Sequence, residues 1–446
     1  MNNKKGLSDK IKEKLIQQML NKAQSFDDGS GDFIVNRNDV TNYKIEEKFY
    51  KFKKFDTYKQ ILAHKAAGEK LKLESPFFRV QMGIASATVV IDSKKCINFA
   101  SYNYLGLNGD QRVSLASKLA IDKYGTTVSG SRLVSGEIPL HRELESELAK
   151  VHGVEDCIVF VSGHATNVTT IGYLFGSNDL ILYDSLSHNS IIQGALLSGA
   201  SRKIFPHNDF AFIDEYLASN RDKFEKVLIV IEGLYSMDGD IPDLPNFIKI
   251  KEKYKALLMV DEAHSFGVLG PKGHGVASHF AIDPKKIDIH MGTLSKSMGS
   301  VGGYIAGSYE LVEILHSYAP GFLYSVGMAP ASTAAALEAL HIMQKESKRI
   351  KKLQDNSLFF LQELKKHKIN TGLSSGFAVI PVIVGSSIKA VRLANALFEH
   401  GIRVQPIIYP AVEEKLARIR FFVSSEHVRD DMLFAINILI QELKKN

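Results

Sequence analysis

The sequence predicts an α/β protein with a mostly parallel central sheet in a large domain and a smaller C-terminal α+β domain. From about residue 100, short continuous apolar runs alternate with helical stretches, which is typical of a parallel sheet covered on both faces. After about residue 345, a long polar helical stretch precedes short strands and helices, which indicates a second unit. A chain of 446 residues is long enough for both domains.

The first 60 residues predict a basic extension, because they hold about two thirds of the net charge of +6. Apolar residues four apart indicate a helix over 7–20, and the turn-rich stretch 27–31 ends it. Between residues 43 and 59, lysines are interleaved with aromatic residues. We expect either an amphipathic helix with its aromatic side chains turned inward, or a surface for an acidic protein, a nucleic acid or an anionic membrane. The residues of this run are Tyr43, Lys44, Lys48, Phe49, Tyr50, Lys51, Phe52, Lys53, Lys54, Phe55, Tyr58 and Lys59.

The remaining chain divides into three predicted segments. Residues 61–105 pack on the small domain, residues 106–345 form the large domain, and residues 346–446 form the small domain. Leucines at 140, 144 and 148 mark a helix of the large domain. Its predicted strands are CIVFV at 157–161, LILY at 180–183, VLIVI at 227–231 and ALLMV at 256–260, and those of the small domain are FAVIPVIV at 377–384 and ARIRFFV at 417–423.

Composition excludes several classes of protein. Cys96 and Cys157 cannot form a disulfide framework and are expected to be buried. No His/Cys cluster has the spacing of a metal site, so we expect no metal. No window has 18 uninterrupted apolar residues, and the charged N-terminus does not resemble a secretory signal, so we expect a cytoplasmic protein without an integral membrane segment.

Unusual polar residues follow three of the predicted strands, and ligands of such sheets bind at the carboxyl ends of the strands. The strand at 256–260 leads into Asp261-Glu262-Ala263-His264, and the strand at 227–231 leads into EGLYSMDGD at 232–240. Ser162-Gly163-His164-Ala165 opens a helix, whose unpaired N–H groups suit an anion. The DEAH tetrapeptide at 261–264 also occurs in helicases, but the phosphate-binding Gly-Lys dipeptide is missing, which excludes that class.

One lysine has an unusual setting. Lys296 lies within MGTLSKSMGSVGG at 291–303, among hydroxyl residues and glycines and without a charged neighbour. A desolvated lysine has a lowered pKa and is a nucleophile toward a carbonyl group. Together with an anion site and a carboxylate, it predicts binding of an aldehyde cofactor that carries a phosphate and a ring nitrogen.

These motifs resemble those of the α-oxoamine synthases, which are fold-type I pyridoxal-phosphate enzymes. The resemblance covers roughly residues 75–440. It implies a homodimer and a decarboxylative condensation of glycine, alanine or serine with an acyl thioester, giving an α-amino ketone and carbon dioxide. The motifs are NYLGL at 103–107, SGHATN at 162–167, DSLSHNS at 184–190, EGLYSMDGD at 232–240, VDEAHSFGVLG at 260–270 and TLSKSMGSVGG at 293–303.

The resemblance gives a role to each candidate residue. Lys296 matches the Schiff-base lysine that also moves the Cα proton, and Asp261 matches the partner of the pyridinium nitrogen. His188 matches the imidazole stacked on the ring. His264 and Ser236 match partners of the phenolic oxygen. Asn103 and Arg420 match groups that hold the substrate carboxylate, although Arg418 lies on the same strand face. The positions that match the phosphate site are Ser162, Gly163, His164 and Thr293.

Three departures from the family concern its partners. Val326 stands where the family commonly has a hydroxyl residue that reaches the phosphate of the neighbouring subunit. Residues 409–415 replace a loop on the acyl-donor side, and residues 75–80 resemble synthases attached to polyketide-type assembly lines. With the basic N-terminal run, these features favour a donor carried by an acyl carrier protein over coenzyme A, because carrier proteins are strongly acidic.

Two other functions use similar residues. An aminotransferase needs the same lysine and aspartate, but it usually stacks an aromatic ring where His188 stands. A catalytically silent subunit is expected to lack Lys296. His141, His152 and His207 are interpreted as ordinary helix or loop histidines, and His141 with Glu145 as a solvated pair despite its metal-compatible spacing.

Overall fold

A computed structural model describes residues 45–445. The described residues divide into two compact units, 45–72 and 73–445. The helix predicted over 7–20, the break at 27–31 and the side chains of Tyr43 and Lys44 lie outside the described residues.

In the first unit, two short 3-10 turns at Glu47–Phe49 and Phe52–Lys54 precede helix α1, Asp56–Lys70. No side chain of these elements is buried. The aromatic side chains were expected to turn inward, and this is wrong for Phe52, which is 83% exposed, and for Phe49, which is 67% exposed. Within residues 45–72, one helix and two turns supply no second layer against which an aromatic face could be buried. Helix α1 also runs across the boundary predicted at residue 60.

A seven-stranded sheet forms the centre of the second unit, in the order β4-β10-β9-β8-β7-β5-β6. Strands β9, β8, β7, β5 and β6 are parallel, and β10 pairs antiparallel with both β4 and β9. The carboxyl ends of the parallel strands therefore share one edge of the sheet. The strands are β4 Asp156–Phe160, β5 Leu180–Asp184, β6 Ser201–Phe205, β7 Val227–Glu232, β8 Leu257–Asp261, β9 Ile289–Thr293 and β10 Gly303–Gly307.

The apolar runs form these strands because helices cover both sheet faces. All six residues of β7 and all five of β5 are buried, as a parallel sheet between two helical layers requires. Several helices begin at a polar N-cap; Ser162 and His188 cap two helices beside the strand ends. The helices of this part are α2 Gln111–Tyr124, α3 Pro139–His152, α4 Gly163–Leu174, α5 Asn189–Leu197, α6 Phe210–Ala218, α7 Leu244–Tyr254, α8 Val276–His279, α9 Tyr309–Tyr318, α10 Pro320–Leu323 and α11 Pro330–Lys345.

Two smaller sheets lie outside the central one. The order β1-β2-β3-β12 joins the segment before residue 100 to the C-terminal part, because β3 pairs parallel with β12. The order β11-β14-β13 is antiparallel. These elements are β1 Gln81–Met82, β2 Thr88–Ile91, β3 Lys94–Asn98, α12 Ser347–Lys366, β11 Val379–Ile383, α13 Ser387–Glu399, β12 Ile402–Arg403, β13 Gln405–Ile407, β14 Arg418–Phe422 and α14 Arg429–Lys445.

The C-terminal elements have their own core. Phe99 packs against Phe360 and Phe421, with ring centroids 5.3 and 5.4 Å apart, so residues before 100 contribute to it. Both cysteines are buried, as expected. Across residues 45–445, no helix is long and apolar enough to cross a membrane.

Candidate active site

The carboxyl ends of β7, β8 and β9 bring three predicted segments together. Glu232 ends β7 and Asp261 ends β8, and the two residues are register partners. Lys296 lies three residues beyond the end of β9. We call Asn167, His188, Glu232, Asp261 and Lys296 the strand-end cluster.

Lys296 is partly buried and faces this edge. Its Nζ lies 5.7 Å from the ring centroid of Tyr102. Burial lowers the pKa of Lys296 to about 8, although the carboxyl groups of Asp261 and Glu232 oppose the change. A sizeable fraction of the amine is therefore neutral, and nucleophilic, near neutral pH.

The carboxylate of Asp261 is buried and held by two hydrogen bonds. Its Oδ2 accepts one from Nδ2 of Asn167 at 2.8 Å, and its Oδ1 accepts one from the backbone N–H of Ala263 at 2.9 Å. The same Nδ2 donates to Oγ of Ser190 at 2.9 Å. The amide thus fixes the orientation of the carboxylate while Asp261 keeps unused acceptor capacity.

His188 is tied to this network through the start of α5. Its Nδ1 lies 2.7 Å from Oγ of Ser190 and accepts a hydrogen bond from the Ser190 backbone N–H at 3.2 Å. His188 is exposed as a whole residue, but protein atoms packed around its ring desolvate it and lower the pKa of His188. The negative charge of Asp261 acts in the opposite direction. The imidazole is therefore held in one orientation in its neutral form.

Glu232 belongs to the cluster although the sequence interpretation gave it no role. Its Oε1 accepts from the His188 backbone N–H at 2.6 Å, and its Oε2 from that of Ser236 at 3.3 Å. Burial, and then the charge of Asp261, raise the pKa of Glu232 to about 8. Glu232 is therefore largely protonated at neutral pH. This edge of the sheet thus carries less negative charge than two ionised carboxyl groups, Glu232 and Asp261, would give it.

The predicted anion site lies where β4 turns into α4. Ser162 caps the helix, and its Oγ accepts from the Ala165 N–H at 3.1 Å. A Cβ added at Gly163 would lie 2.9 Å from Oγ1 of Thr293, so glycine is needed for this close approach. Thr293 Oγ1 in turn lies 2.8 Å from Oγ of Ser295, and His164 is exposed beside them. Hydroxyl and N–H donors thus converge at a helix N-terminus.

His264 and Ser236 also lie near this edge. Nδ1 of His264 lies 2.7 Å from the hydroxyl of Tyr104, and the ring stacks on Phe422 with centroids 6.3 Å apart. Burial lowers the pKa of His264 well below its ordinary value. Ser236 is buried, and its carbonyl accepts from Arg420 at 2.7 Å.

The two arginines of β14 differ in their partners. Arg418 is neutralised by Asp238, with Nη1 2.7 Å from Oδ1, and it also donates to the Met237 carbonyl. Arg420 is 6% exposed, has no carboxylate partner among residues 45–445, and its Nε has no hydrogen-bond partner. Burial lowers the pKa of Arg420 from its ordinary value. A buried cation with an unused donor is ready for an anionic ligand.

Asn103 and Lys296 line the same cavity, and the side-chain amide of Asn103 is hydrogen-bonded within the protein. Both of its N–H groups donate to backbone carbonyls, those of Ala85 at 3.2 Å and Asn108 at 3.3 Å. Its Oδ1 accepts from the Asn108 N–H at 3.0 Å. One bond joins Asn103 to the preceding segment and two close the turn that follows, and its contact with a substrate carboxylate stays a prediction.

The three histidines interpreted as ordinary are all specifically bonded. His207 lies between Asp184 and Asp240, at 3.0 and 2.8 Å. Burial alone would lower the pKa of His207, but the two carboxylates raise it to about 10. This charged group fastens the 232–240 loop to the end of β5.

The interpretation of His141 and Glu145 as a solvated pair is wrong, because both are fully buried. Nε2 of His141 lies 2.8 Å from the Met328 carbonyl, and Glu145 accepts from Arg132. His152 is buried too, with Nε2 2.8 Å from the Tyr304 hydroxyl. The helix α3 face that carries them packs against the sheet and α11, so each needs an internal partner. Residues 45–445 contain no group of three or more potential metal ligands.

Sequence reasoning missed Tyr102, Tyr104, Asn167 and Glu232. Three of them had a signal, because Tyr104, Asn167 and Glu232 lie inside quoted motifs at strand or helix ends. Their roles depend on contacts with residues about 45 to 160 positions away, which no local pattern contains.

Comparisons with known proteins show which family the chain belongs to. The family model for aminotransferase class I and II matches residues 94–432. The 8-amino-7-oxononanoate synthase of Thermosipho melanesiensis is 42% identical, over 78% of this chain and 89% of that protein. That of Fervidobacterium nodosum is 40% identical, over 83% and 94%.

Solved structures give the same result. Serine palmitoyltransferase of Sphingomonas wittichii has a TM-score of 0.84 and 28% identity, over 87% of this chain and 98% of that chain. A lysine-to-alanine variant of the serine palmitoyltransferase of S. paucimobilis, solved with a bound PLP-myriocin aldimine, has a TM-score of 0.82 and 26% identity, over 87% and 98%. The chain belongs to the aminotransferase class I and II family and, within it, to the α-oxoamine synthases, pyridoxal-phosphate-dependent acyltransferases that condense a small amino acid with an acyl thioester and release carbon dioxide.

Proposed function

We propose that the strand-end cluster binds pyridoxal phosphate and carries out the condensation with Lys296 as its central base. The observation that carries this proposal is that two groups occur together at this site. One is a partly neutral lysine, and the other is Arg420, a buried guanidinium that has no carboxylate partner in the described part of the chain. A buried cation of this kind is costly unless a ligand anion completes it. An amino acid supplies that anion with its carboxylate.

The residues fit the cofactor in size and chemistry. Ser162, Gly163, His164 and Thr293 would hold the phosphate, since Gly163 leaves space and α4 directs N–H groups there. Asp261 retains acceptor capacity for a protonated ring nitrogen, held in place by Asn167.

The ring itself would lie against His188, with Ser236 and His264 at its phenolic oxygen. The buried Oδ1 of Asn167 has no hydrogen-bond partner in the described structure, so a polar group is still missing from this edge.

Bound pyridoxal phosphate supplies the electron sink that makes the Cα proton of the amino acid acidic. Arg420 binds the carboxylate of the amino acid, with Nε as its unused donor. Lys296, neutral in part near its pKa of about 8, removes the Cα proton. Asp261 keeps a proton at the ring nitrogen throughout. Asn103 acts as a positioning residue for the turn at 103–108.

The relatives suggest which substrates are used. In an 8-amino-7-oxononanoate, carbon 8 carries the amine and carbon 9 is a methyl group, so they correspond to Cα and Cβ of alanine, whose carboxyl group leaves as carbon dioxide. Carbons 1 to 7 then come from a heptanedioyl thioester, which ends in a second carboxylate. We assign alanine and a heptanedioyl thioester to this chain on its 42% identity with such a synthase.

Partners follow from exposed surfaces. Leu133, Val134, Tyr324 and Val326 are 64%, 81%, 86% and 50% exposed, which favours burial against a second copy in a homodimer. The donor is proposed to be bound to an acyl carrier protein, with coenzyme A as the alternative. Residues 45–72 carry eight lysines and four carboxylates and thus complement an acidic protein.

The test is release of labelled carbon dioxide from carboxyl-labelled glycine, alanine and serine with an acyl thioester. Because Arg420 is the β14 arginine without a carboxylate partner among the described residues, Arg420→Gln should raise KM for the amino acid about tenfold to hundredfold, the range of a charge-assisted hydrogen bond. Arg418→Gln is the matched control. Its partner is Asp238, so it should lower the melting temperature and leave KM within about threefold.

Two outcomes would contradict the proposal. If the purified protein transfers the amino group to a keto acid and releases no carbon dioxide, it acts as an aminotransferase. If Arg418→Gln raises KM and Arg420→Gln does not, the substrate carboxylate has been assigned to the wrong arginine.

A further inference from the structure

A cavity of about 530 Å³ lies beside Lys296. Its lining contains two charged side chains, Lys296 and Arg403, and no carboxylate. Lys296 belongs to the strand-end cluster, whereas Arg403 comes from β12 in the four-stranded sheet. Lys296 has Asp261 and Glu232 as neighbouring carboxyl groups, whereas Arg403 has no carboxylate in this lining, so an anionic occupant is favoured on the Arg403 side.

The remaining lining is polar or small. Tyr102 and Val301 are its only large side chains with substantial apolar area, and the rest are alanines, glycines, serines and amides. A long alkyl chain would have to displace water from these hydroxyl and amide groups without replacing their hydrogen bonds. The cavity therefore suits a short acyl chain with a polar end better than a fatty chain.

Arg403 has most of its donors unused. Its Nη1 donates to Oε1 of Gln81 at 2.7 Å, which orients the guanidinium, and no carboxylate among residues 45–445 pairs with it. An arginine side chain has five N–H donors, so several remain for a ligand. The backbone carbonyl of Arg403 accepts from the Phe99 N–H at 2.9 Å, which fixes its strand.

The electrostatic setting of Arg403 is also unusual. Partial burial lowers the pKa of Arg403, and the nearby positive charge of Arg79 acts in the same direction. Arg79 itself donates to Asn395 and stacks on Phe398, 3.7 Å from the ring centroid, and no carboxylate among the described residues forms an ion pair with it. An anion at Arg403 would relieve this repulsion. We call Gln81 and Arg403 the Arg403 group.

We propose that the Arg403 group binds the terminal carboxylate of the acyl chain and thereby selects dicarboxylic over monocarboxylic acyl thioesters. This inference rests on the proposed function, because the reacting thioester must lie at Lys296 in the same cavity. Gln81 positions the guanidinium, and Arg403 forms the ion pair. The alternative anion that Arg403 could bind is a phosphate of the donor's carrier group.

The experiment uses four acyl donors to distinguish the carboxylate of the acyl chain from a phosphate of the carrier. Each donor is tested with whichever of glycine, alanine and serine gives the fastest release of carbon dioxide. Heptanedioyl and heptanoyl chains are compared, each on coenzyme A and on N-acetylcysteamine, which has no phosphate. The wild-type holoenzyme should prefer the heptanedioyl chain at least tenfold in kcat/KM on both carriers. Arg403→Gln should lower kcat/KM for the heptanedioyl donors about tenfold to hundredfold and change the heptanoyl donors less than about threefold.

Two further variants serve as controls. Gln81→Ala should lower the same preference by a smaller factor, which keeps the proposal testable if Arg403→Gln folds poorly. Lys95→Gln removes one exposed positive charge from the same sheet and should leave the preference unchanged.

Three results would overturn the proposal. In the first, Arg403→Gln lowers kcat/KM equally for both coenzyme A donors and leaves kcat/KM for the N-acetylcysteamine donors unchanged, which assigns Arg403 to a phosphate. In the second, the preference is absent in the wild type or unchanged in Arg403→Gln and Gln81→Ala. In the third, the wild type releases no carbon dioxide with any donor, which contradicts the proposed function itself; the first two leave that function intact.

Discussion

The strand-end cluster and the Arg403 group both bring charge into the interior, but the fold holds them differently. Asp261 ends a central strand, and two hydrogen bonds fix its carboxylate. Arg403 lies on a two-residue strand, and its side chain has one hydrogen bond, to the exposed Gln81. A rigid cluster suits chemistry that requires fixed geometry, whereas a loosely held cation can change its ligand with few substitutions. The comparison suggests that catalysis and acyl-chain choice are set by separate parts of the molecule.

The largest expected effect is that of removing the base of the strand-end cluster. Lys296→Ala should lower turnover by about 10⁴-fold or more, because it deletes both the covalent attachment and the proton acceptor. Carbon dioxide release gives the rate, and borohydride reduction followed by mass spectrometry shows whether the cofactor is still attached. Lys285→Ala, at an exposed lysine, should behave as wild type. Wild-type turnover in Lys296→Ala would remove the basis of the proposed chemistry.

The next effect tests whether Asp261 acts through the cofactor or only through packing. Asp261→Asn should slow exchange of the Cα proton into deuterated solvent about hundredfold or more, since a neutral amide does not keep the ring nitrogen protonated. Cofactor content should change little, because the phosphate site lies elsewhere on the edge. Near-normal exchange in this variant, with the cofactor bound, would exclude the assigned role.

The sequence predicted most of the strand-end cluster and none of the Arg403 group's role. Lys296 and Asp261 stand at strand ends that apolar runs mark, so their position follows from local pattern and sheet topology. Glu232 was missed because its pKa depends on burial and then on Asp261, a neighbour on the adjacent strand. No local pattern around Arg403 predicts its role, since that role depends on a cavity formed with residues about 70 to 320 positions away.

A third prediction concerns the charge balance of the cluster. The pKa of Glu232 is raised from 4.5 to about 8, so the folded state binds this proton more tightly than the unfolded chain. Its stabilising contribution is therefore fully present below pH 4.5 and is lost as pH rises through about 8. Between pH 6 and pH 9, the melting temperature of cofactor-free wild type should fall about 2–5 °C more than that of Glu232→Gln.

Because the wild type and Glu232→Gln share every other titrating group, the difference between their melting temperatures reports on Glu232 alone. Glu143→Gln, at an exposed carboxylate of α3, should keep the pH dependence of the wild type. If Glu232→Gln also keeps it, Glu232 is ionised in the folded protein and the strand-end cluster carries more negative charge than we infer.

The smallest expected effect concerns how the donor reaches the enzyme. Lys53, Lys54 and Lys65 are exposed and have no carboxylate partner among the described residues, whereas Lys51 and Lys59 are paired with Glu47 and Asp56. Changing the three unpaired lysines to glutamine should lower kcat/KM for a carrier-protein donor about threefold to tenfold at low salt, because opposite charge speeds encounter. The wild type and the triple variant should have equal kcat/KM for the same acyl group carried by coenzyme A.

Salt and a charge-matched control complete this last test. Exposed charges are screened beyond about 8 Å at physiological ionic strength, so the difference should disappear at about 0.5 M salt. Replacing Lys348, Lys352 and Lys365, exposed on α12, removes the same charge from another helix and should have a smaller effect. An equal loss in both triple variants would mean that net charge, rather than the N-terminal unit, attracts the carrier. Equal or better use of the coenzyme A thioester, with no loss in either variant, would exclude the carrier protein and leave the strand-end chemistry unaffected.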